Sequence, residues 1–195
     1  IEAGDTSQAD YAVAIDLGTT TVVATLLDLT TGTPMAVASS LNKQQPFGAD
    51  VISRISATML DTQALAKLRE LAQSTMAELI EQTCTEAGIT PDQVYEAAIA
   101  GNATMTQIAL GIDPEPLGVA PFILATDELP TMPATELGLG IHPRARAYLF
   151  PSLGAYVGGD IIAGALATGM DRDKRLRLFI DIGTNCEIIL GDGER

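Results

Sequence analysis

From residue 11 to 41 the chain alternates apolar, β-branched-rich stretches with short polar breaks. Tyr11 to Leu17, Val22 to Asp28 and Met35 to Leu41 each read as a strand, with turn chemistry at Gly18 to Thr21 and Thr30 to Pro34 between them. Strands joined by such short breaks predict an antiparallel meander. From Thr62 to Ala87 the period changes: Leu65, Leu68, Ala72, Met76, Ile80 and Cys84 recur at helical spacing and Gly88 supplies a stop, so a long helix is expected against the sheet. Pro91 to Val94 opens a short segment, Glu96 to Ala100 reads as a buried strand, and Gly101-Asn102 turns into a short helix ending near Gly111. A strand followed by a crossover helix implies parallel pairing. Residues 113–143 hold six of the ten prolines and little periodicity, which predicts an ordered, functional loop. Arg146 to Phe150 reads as a strand, Tyr156 to Thr168 as a helix, and Arg177 to Ile182 with Glu187 to Leu190 as a closing hairpin.

The order is three strands, helix, strand, helix, strand, helix and then a new hairpin. That is the order of an α/β ribonuclease H-like unit with a mixed sheet, followed by the first hairpin of a second copy. The expected division is a flexible N-terminal tail over 1–10, a first subdomain over 11–170 and the start of a second over 171–195. A hairpin without further strands has an unpaired edge, which predicts pairing with another chain, a homodimer for example, or reduced solubility.

Composition narrows the partners. The 195 residues suffice to bury roughly 70% of the unfolded surface if they close around one core. Eleven basic residues against 25 acidic ones, a formal charge of −14, speak against a nucleic-acid or anionic-membrane surface, since phosphate backbones require clustered Lys and Arg. A nucleotide can still bind locally if Mg²⁺ brings the positive charge. No apolar run reaches the roughly 18 to 20 residues of a membrane span and no signal-peptide pattern follows Ile1, so a cytoplasmic location is expected. Cys84 and Cys186 are too few for a disulfide framework, a four-cysteine zinc site or an iron–sulfur cluster held within these residues. The absent initiator Met suggests that Ile1 is a cut inside a longer protein.

The candidate chemistry lies in an echo. Asp16-Leu17-Gly18-Thr19-Thr20-Thr21 and Asp181-Ile182-Gly183-Thr184-Asn185 each follow a strand and each place an aspartate, a glycine and then hydroxyl or amide side chains. Such a turn offers backbone N–H groups to an oxyanion. The functional expectation is that Gly18, Thr19, Thr20 and Thr21 and Gly183, Thr184 and Asn185 cradle β- and γ-phosphate oxygens. Asp16 and Asp181 would hold Mg²⁺, mostly through water, and one of them would orient an attacking water. A single copy reads more readily as an ordinary Gly-Thr hairpin turn, and the duplication reverses that preference in favour of the phosphate reading. Neither turn has the lysine of a P-loop or the three glycines of a dinucleotide fingerprint.

The paired turns look like the two phosphate elements of the superfamily that joins actin, sugar kinases and the large heat-shock chaperones. More narrowly, residues 14–21, Phe47-Gly48-Ala49-Asp50-Val51-Ile52-Ser53-Arg54-Ile55, Gly101-Asn102-Ala103-Thr104-Met105, Gly111-Ile112-Asp113-Pro114-Glu115-Pro116-Leu117-Gly118 and residues 180–185 resemble blocks of the ATP-dependent reductive activators of corrinoid proteins. The resemblance implies an actin-like ATPase fold. It also implies the use of ATP and Mg²⁺ to return cob(II)amide to cob(I)amide on a methyltransferase corrinoid protein, with the electron arriving through a [2Fe–2S] ferredoxin-like domain. The ferredoxin cysteines and the adenosine-binding element are not among these residues, so electron delivery and tight ATP binding are expected to need further polypeptide. Cys186 stands where the family pattern has glycine, and crowding of the second turn is expected there.

Beside the chaperone branch, Asp160 falls where an acidic residue lies near the metal, which makes it a third catalytic carboxylate candidate; it also reads as a plain helix-start acid. Ala155, Gly159, Ala163 and Ala167 form a stripe of small residues every four positions, as expected for close helix contact or a connecting helix between lobes. Asp50 and Arg54 suit a local helix ion pair or a role toward phosphate. Asn102 is a natural N-cap with a nucleotide contact as its alternative, His142 a turn residue and Cys84 a core thiol. Two further activities fit the same fold: a nucleotide-gated reactivase of a cobalamin protein without redox chemistry, and a small-molecule kinase.

Overall fold

The structure, a computed structural model, describes residues 10–127 and 129–193. The greater part of the expected 1–10 tail therefore lies outside the described residues. Three strands, β1 (Tyr11–Leu17), β2 (Thr21–Asp28) and β3 (Thr33–Leu41), form the meander. Helices α1 (Val51–Leu60) and α2 (Ala64–Ala87) follow, then β4 (Val94–Gly101), α3 (Ala103–Leu110) and the one-turn α4 (Glu115–Gly118). The two-residue β5 (Met132–Pro133), β6 (Arg146–Leu149), α5 (Gly159–Thr168), β7 (Arg177–Ile182) and β8 (Cys186–Gly191) complete the order.

Six strands make one mixed sheet in the order β3-β2-β1-β4-β6-β5, and β7 and β8 pair in a separate two-stranded sheet. β1 runs antiparallel to β2 and parallel to β4, and β4 runs parallel to β6. This is the ribonuclease H-like order, and the fold is the expected α/β class with a mixed sheet. The parallel register sets Asp16 beside Ala100 and Leu17 beside Gly101, so the turns leaving β1 and β4 emerge side by side at one sheet edge.

The core lies between this sheet and α2. Val13, Ile15 and Leu17 of β1 and Val22, Ala24 and Leu26 of β2 are buried on one face, against Leu68, Ala72, Met76, Leu79, Ile80 and Cys84 of α2. Each large apolar side chain fully withdrawn from water contributes about 1.5–3 kcal/mol. The helical spacing read from Leu65 to Cys84 is the spacing that packs, although Leu65 itself lies at the rim, and Gly88 closes α2 in the left-handed conformation.

Two local expectations are refined. α5 begins at Gly159 rather than Tyr156, so Ala155 sits outside it, packed on Ile55, Ala103 and Leu117. The close contacts are not helix on helix: an added Cβ at Gly158 would meet the backbone of Gly101 to Ala103, at Gly159 Phe150, and at Gly164 the Phe179 ring. The proline-rich stretch is ordered around buried Leu117, Ala134, Leu137, Leu139 and Ile141. His142 is a turn residue whose Nδ1 accepts from the Arg144 amide at 3.1 Å and whose ring lies 4.8 Å from that of Tyr95. Among the described residues no helix is long and apolar enough to cross a membrane.

Candidate nucleotide cleft

The first turn leaves β1 at the carboxyl end of its parallel pairing with β4, the edge where α/β sheets gather ligands. Gly18 permits the bend: a Cβ there would lie 2.3 Å from the Thr21 carbonyl oxygen. The turn leaving β4 is closed by Asn102, which N-caps α3 by accepting from the Met105 amide at 3.0 Å and donates from Nδ2 to Thr19 Oγ1 at 2.9 Å. One asparagine therefore ties the two turns together. Gly158 lies against Asn102 with no room for a side chain, and this contact carries the start of α5, with Asp160, to the same edge.

The second turn, between β7 and β8, is brought over by Phe179, whose ring fills the space that Gly164 leaves open on α5. The turns then meet directly: Thr20 Oγ1 and Thr184 Oγ1 are 2.8 Å apart. Between them lies a cleft of about 760 Å³. Asp16, Asp160 and Asp181 line it, as do Gly18, Thr19, Thr20 and Thr21 of the first turn and Gly183, Thr184 and Asn185 of the second. The three aspartates and seven turn residues read from the sequence thus line one cavity, whereas Asp50 and Arg54 do not.

The cleft is strongly anionic. Partial burial, the nearby Asp160 and then Asp181 raise the Asp16 carboxyl above its ordinary value. Burial chiefly raises Asp160, with Asp181 adding to it, although Asp160 Oδ1 accepts from the Ile161 amide at 2.9 Å. Glu187, which the sequence reading missed, is a fourth acid lining the cleft and is raised by burial, Asp160 and Asp181. It pairs directly across the hairpin from Asp181, a like-charge placement that is unfavourable in an antiparallel pair unless a cation shares it. Counting forward from the turn along the second strand, to the residue opposite Asp181, locates it in the sequence.

Among the described residues no three His, Cys, Asp or Glu side chains converge enough to cage an ion unaided. The donor set nonetheless suits Mg²⁺, which keeps several waters and takes one or two carboxylates together with phosphate oxygens. The glycine-dependent bend at Gly18 and the hydroxyls of Thr19, Thr20 and Thr184 suit the phosphate.

Arg54 departs from the simple expectation. Asp50 is the N-cap of α1, accepting from the Ser53 amide at 2.8 Å, and the Arg54 side chain turns inward to complete burial. Its Nη2 donates to the Thr19 carbonyl at 2.6 Å, on the first turn itself. Cys186 is exposed and lies outside the cleft lining, opposite Ile182, so the expected crowding of the second turn is not seen.

A family model described as the RACo middle region matches residues 11–173. The corrinoid activation enzyme RamQ of Eubacterium limosum is 40% identical over 185 residues, which is 95% of this chain and 31% of the enzyme. A solved structure titled as a reductive activator for corrinoid, iron–sulfur protein has a TM-score of 0.95 and 42% identity, covering 99% of this chain and 31% of that one. The chain thus spans about a third of the length of these two proteins. With its mixed sheet and converging turns inside the matched span and just beyond it, the chain belongs to the RACo middle-region family.

Proposed function

We propose that the chain is part of the ATPase-like domain of a reductive activator that uses ATP to drive reduction of cob(II)amide to cob(I)amide on a methyltransferase corrinoid protein. The observation that carries this reading is the contact between Thr20 and Thr184, which sets the two aspartate turns face to face across one cleft. The names of the two relatives support the corrinoid partner, and the four acids support a metal-bound nucleotide.

On this reading Asp16 and Asp181 hold the metal through water, and the Thr19, Thr20 and Thr184 hydroxyls with the turn amides bind phosphate oxygens. The bound Mg²⁺ would supply charge neutralisation of the phosphates. Asp160 and Glu187 orient water, burial and the neighbouring carboxylates giving each a higher affinity for protons than an ordinary carboxylate has. α5 links the unit over 11–170 to the hairpin that opens a second unit at 171, so holding the two touching turns around phosphate would fix one unit against the other, and losing the phosphate would free them. That change is the step which would couple ATP to electron delivery from a [2Fe–2S] group elsewhere in the polypeptide.

The test uses the full natural polypeptide with its corrinoid partner. Asp16→Ala and Asp181→Ala are expected to abolish Mg-ATP hydrolysis and ATP-dependent cob(I)amide formation, followed by absorbance, with unchanged circular dichroism. Parent turnover in either variant overturns the assignment. ATP hydrolysis without any corrinoid reduction favours a reactivase instead.

A further inference from the structure

Arg54 is the largest fully buried side chain and, among the described residues, it forms no ion pair with a carboxylate. Its guanidinium is committed elsewhere: Nε donates to the Gly48 carbonyl at 3.1 Å, Nη1 to Gln44 Oε1 at 2.7 Å and to Met105 Sδ at 3.0 Å, and Nη2 to the Thr19 carbonyl at 2.6 Å. Gln44, itself buried, is held in turn by donating to the Leu68 carbonyl at 2.9 Å. Buried Asn42 completes the assembly. Its Nδ2 donates to the Gly18 carbonyl at 2.9 Å, its amide to the Thr20 carbonyl at 2.8 Å, and its Oδ1 accepts from the Gln44 amide at 3.0 Å.

Three consecutive carbonyls of the first turn, those of residues 18, 19 and 20, are thus gripped by two side chains and one amide. In a trans peptide the N–H points opposite to the C=O. Holding these carbonyls therefore aims the amides of Thr19, Thr20 and Thr21 away from the bracket, and all three residues line the cleft. A positive charge one peptide behind the turn adds to its attraction for an anion, and the carboxylate that acts on it, Asp50, is held away at the start of α1 by its bond to the Ser53 amide. Packing alone does not ask for this, because an apolar side chain fills such a space without the cost of desolvating a guanidinium.

We propose that Arg54, with Asn42 and Gln44, is a positioning bracket that presets the first turn for phosphate, acting through backbone carbonyls and never touching the ligand. This rests on the nucleotide reading above, and it predicts which part of the nucleotide feels the bracket. Lysine keeps the charge but cannot replace a fork that reaches Thr19, Gly48 and Gln44 together. In the full natural polypeptide, Arg54→Lys is expected to weaken Mg-ATP binding about ten-fold and to raise the KM for ATP, the scale of one lost charge-assisted hydrogen bond. Adenosine, which lacks phosphate, should bind both proteins equally, as read by calorimetry. Gln44→Met, which releases one arm of Arg54, should act in the same direction by about three-fold and serves if Arg54→Lys does not fold. Unchanged Mg-ATP affinity in the folded variants, or an equal loss for adenosine, overturns the bracket while leaving the nucleotide reading in place. A parent protein with no preference for Mg-ATP over adenosine overturns both.

Discussion

Gly158→Ala tests how the cleft is assembled, because its effect is steric and local. Gly158 has φ −96° and ψ −171°, a backbone conformation that alanine adopts without strain. The added methyl would lie 2.4 Å from Asn102 Cα, 2.6 Å from the Gly101 carbonyl oxygen and 2.8 Å from the Ala103 nitrogen. All three are backbone atoms where β4 passes into α3, so none can rotate aside. Reaching ordinary contact requires the start of α5 to retreat by about 1 Å, and overpacking of this kind costs about 1–3 kcal/mol. Asp160, two residues on, moves with it, and a misplacement of about 1 Å in a catalytic arrangement is enough for a roughly hundred-fold loss of rate. Two glycines serve as controls. Gly154 has nothing within 4 Å of a built Cβ, so Gly154→Ala should match the parent. Gly88 also has open space but sits at φ +72°, so Gly88→Ala should cost about 1 kcal/mol of stability without affecting the cleft. Denaturant unfolding of each variant, with Mg-ATP turnover in the full polypeptide, separates the three. A Gly158→Ala protein as stable and active as Gly154→Ala would refute the account of how α5 is seated.

The cleft acids predict how stability responds to pH and metal. Asp16, Asp160 and Glu187 bind protons more tightly when folded than their ordinary values of 3.8 and 4.5, so stability contributed by these groups falls as pH rises from those values through the raised ones. Mg²⁺ should raise the Tm at about pH 7.5 and lose much of that effect near pH 4, where protons compete with the metal for the raised acids; equal shifts at both pH values would contradict the cluster. Asp160→Asn should raise the Tm in the absence of metal, since it removes the charge that burial and Asp181 oppose, as scanning calorimetry can check. Thr184→Val removes the hydroxyl that meets Thr20 at an exposed position. It should leave the Tm within about 2 °C of the parent while raising the KM for Mg-ATP several-fold, and an unchanged KM would deny Thr184 a part in phosphate binding.

Local chemistry made much of this protein legible in one dimension. Strand alternation in residues 11–41, the stripe from Leu68 to Cys84 and the left-handed Gly88 are properties of neighbouring residues, and each lies where its periodicity or turn chemistry places it. The seven turn residues with Asp16 and Asp181 were readable because the motif occurs twice and a repeat is visible without coordinates, whereas Asp160 was suggested only by resemblance to the chaperone branch. Tertiary structure alone decided that the repeats touch. The Thr20–Thr184 contact spans 164 positions and depends on Phe179 seating against Gly164 and Gly158 against Asn102, and no local propensity encodes such fits. The same holds for Arg54. Four residues from Asp50 it reads as half of a surface pair, whereas the fold gives Asp50 to a helix cap and buries the guanidinium behind the first turn. A side chain's direction and its long-range partners are set by the packed whole, since the free energy of burying a charge depends on which carbonyls the rest of the chain brings to meet it.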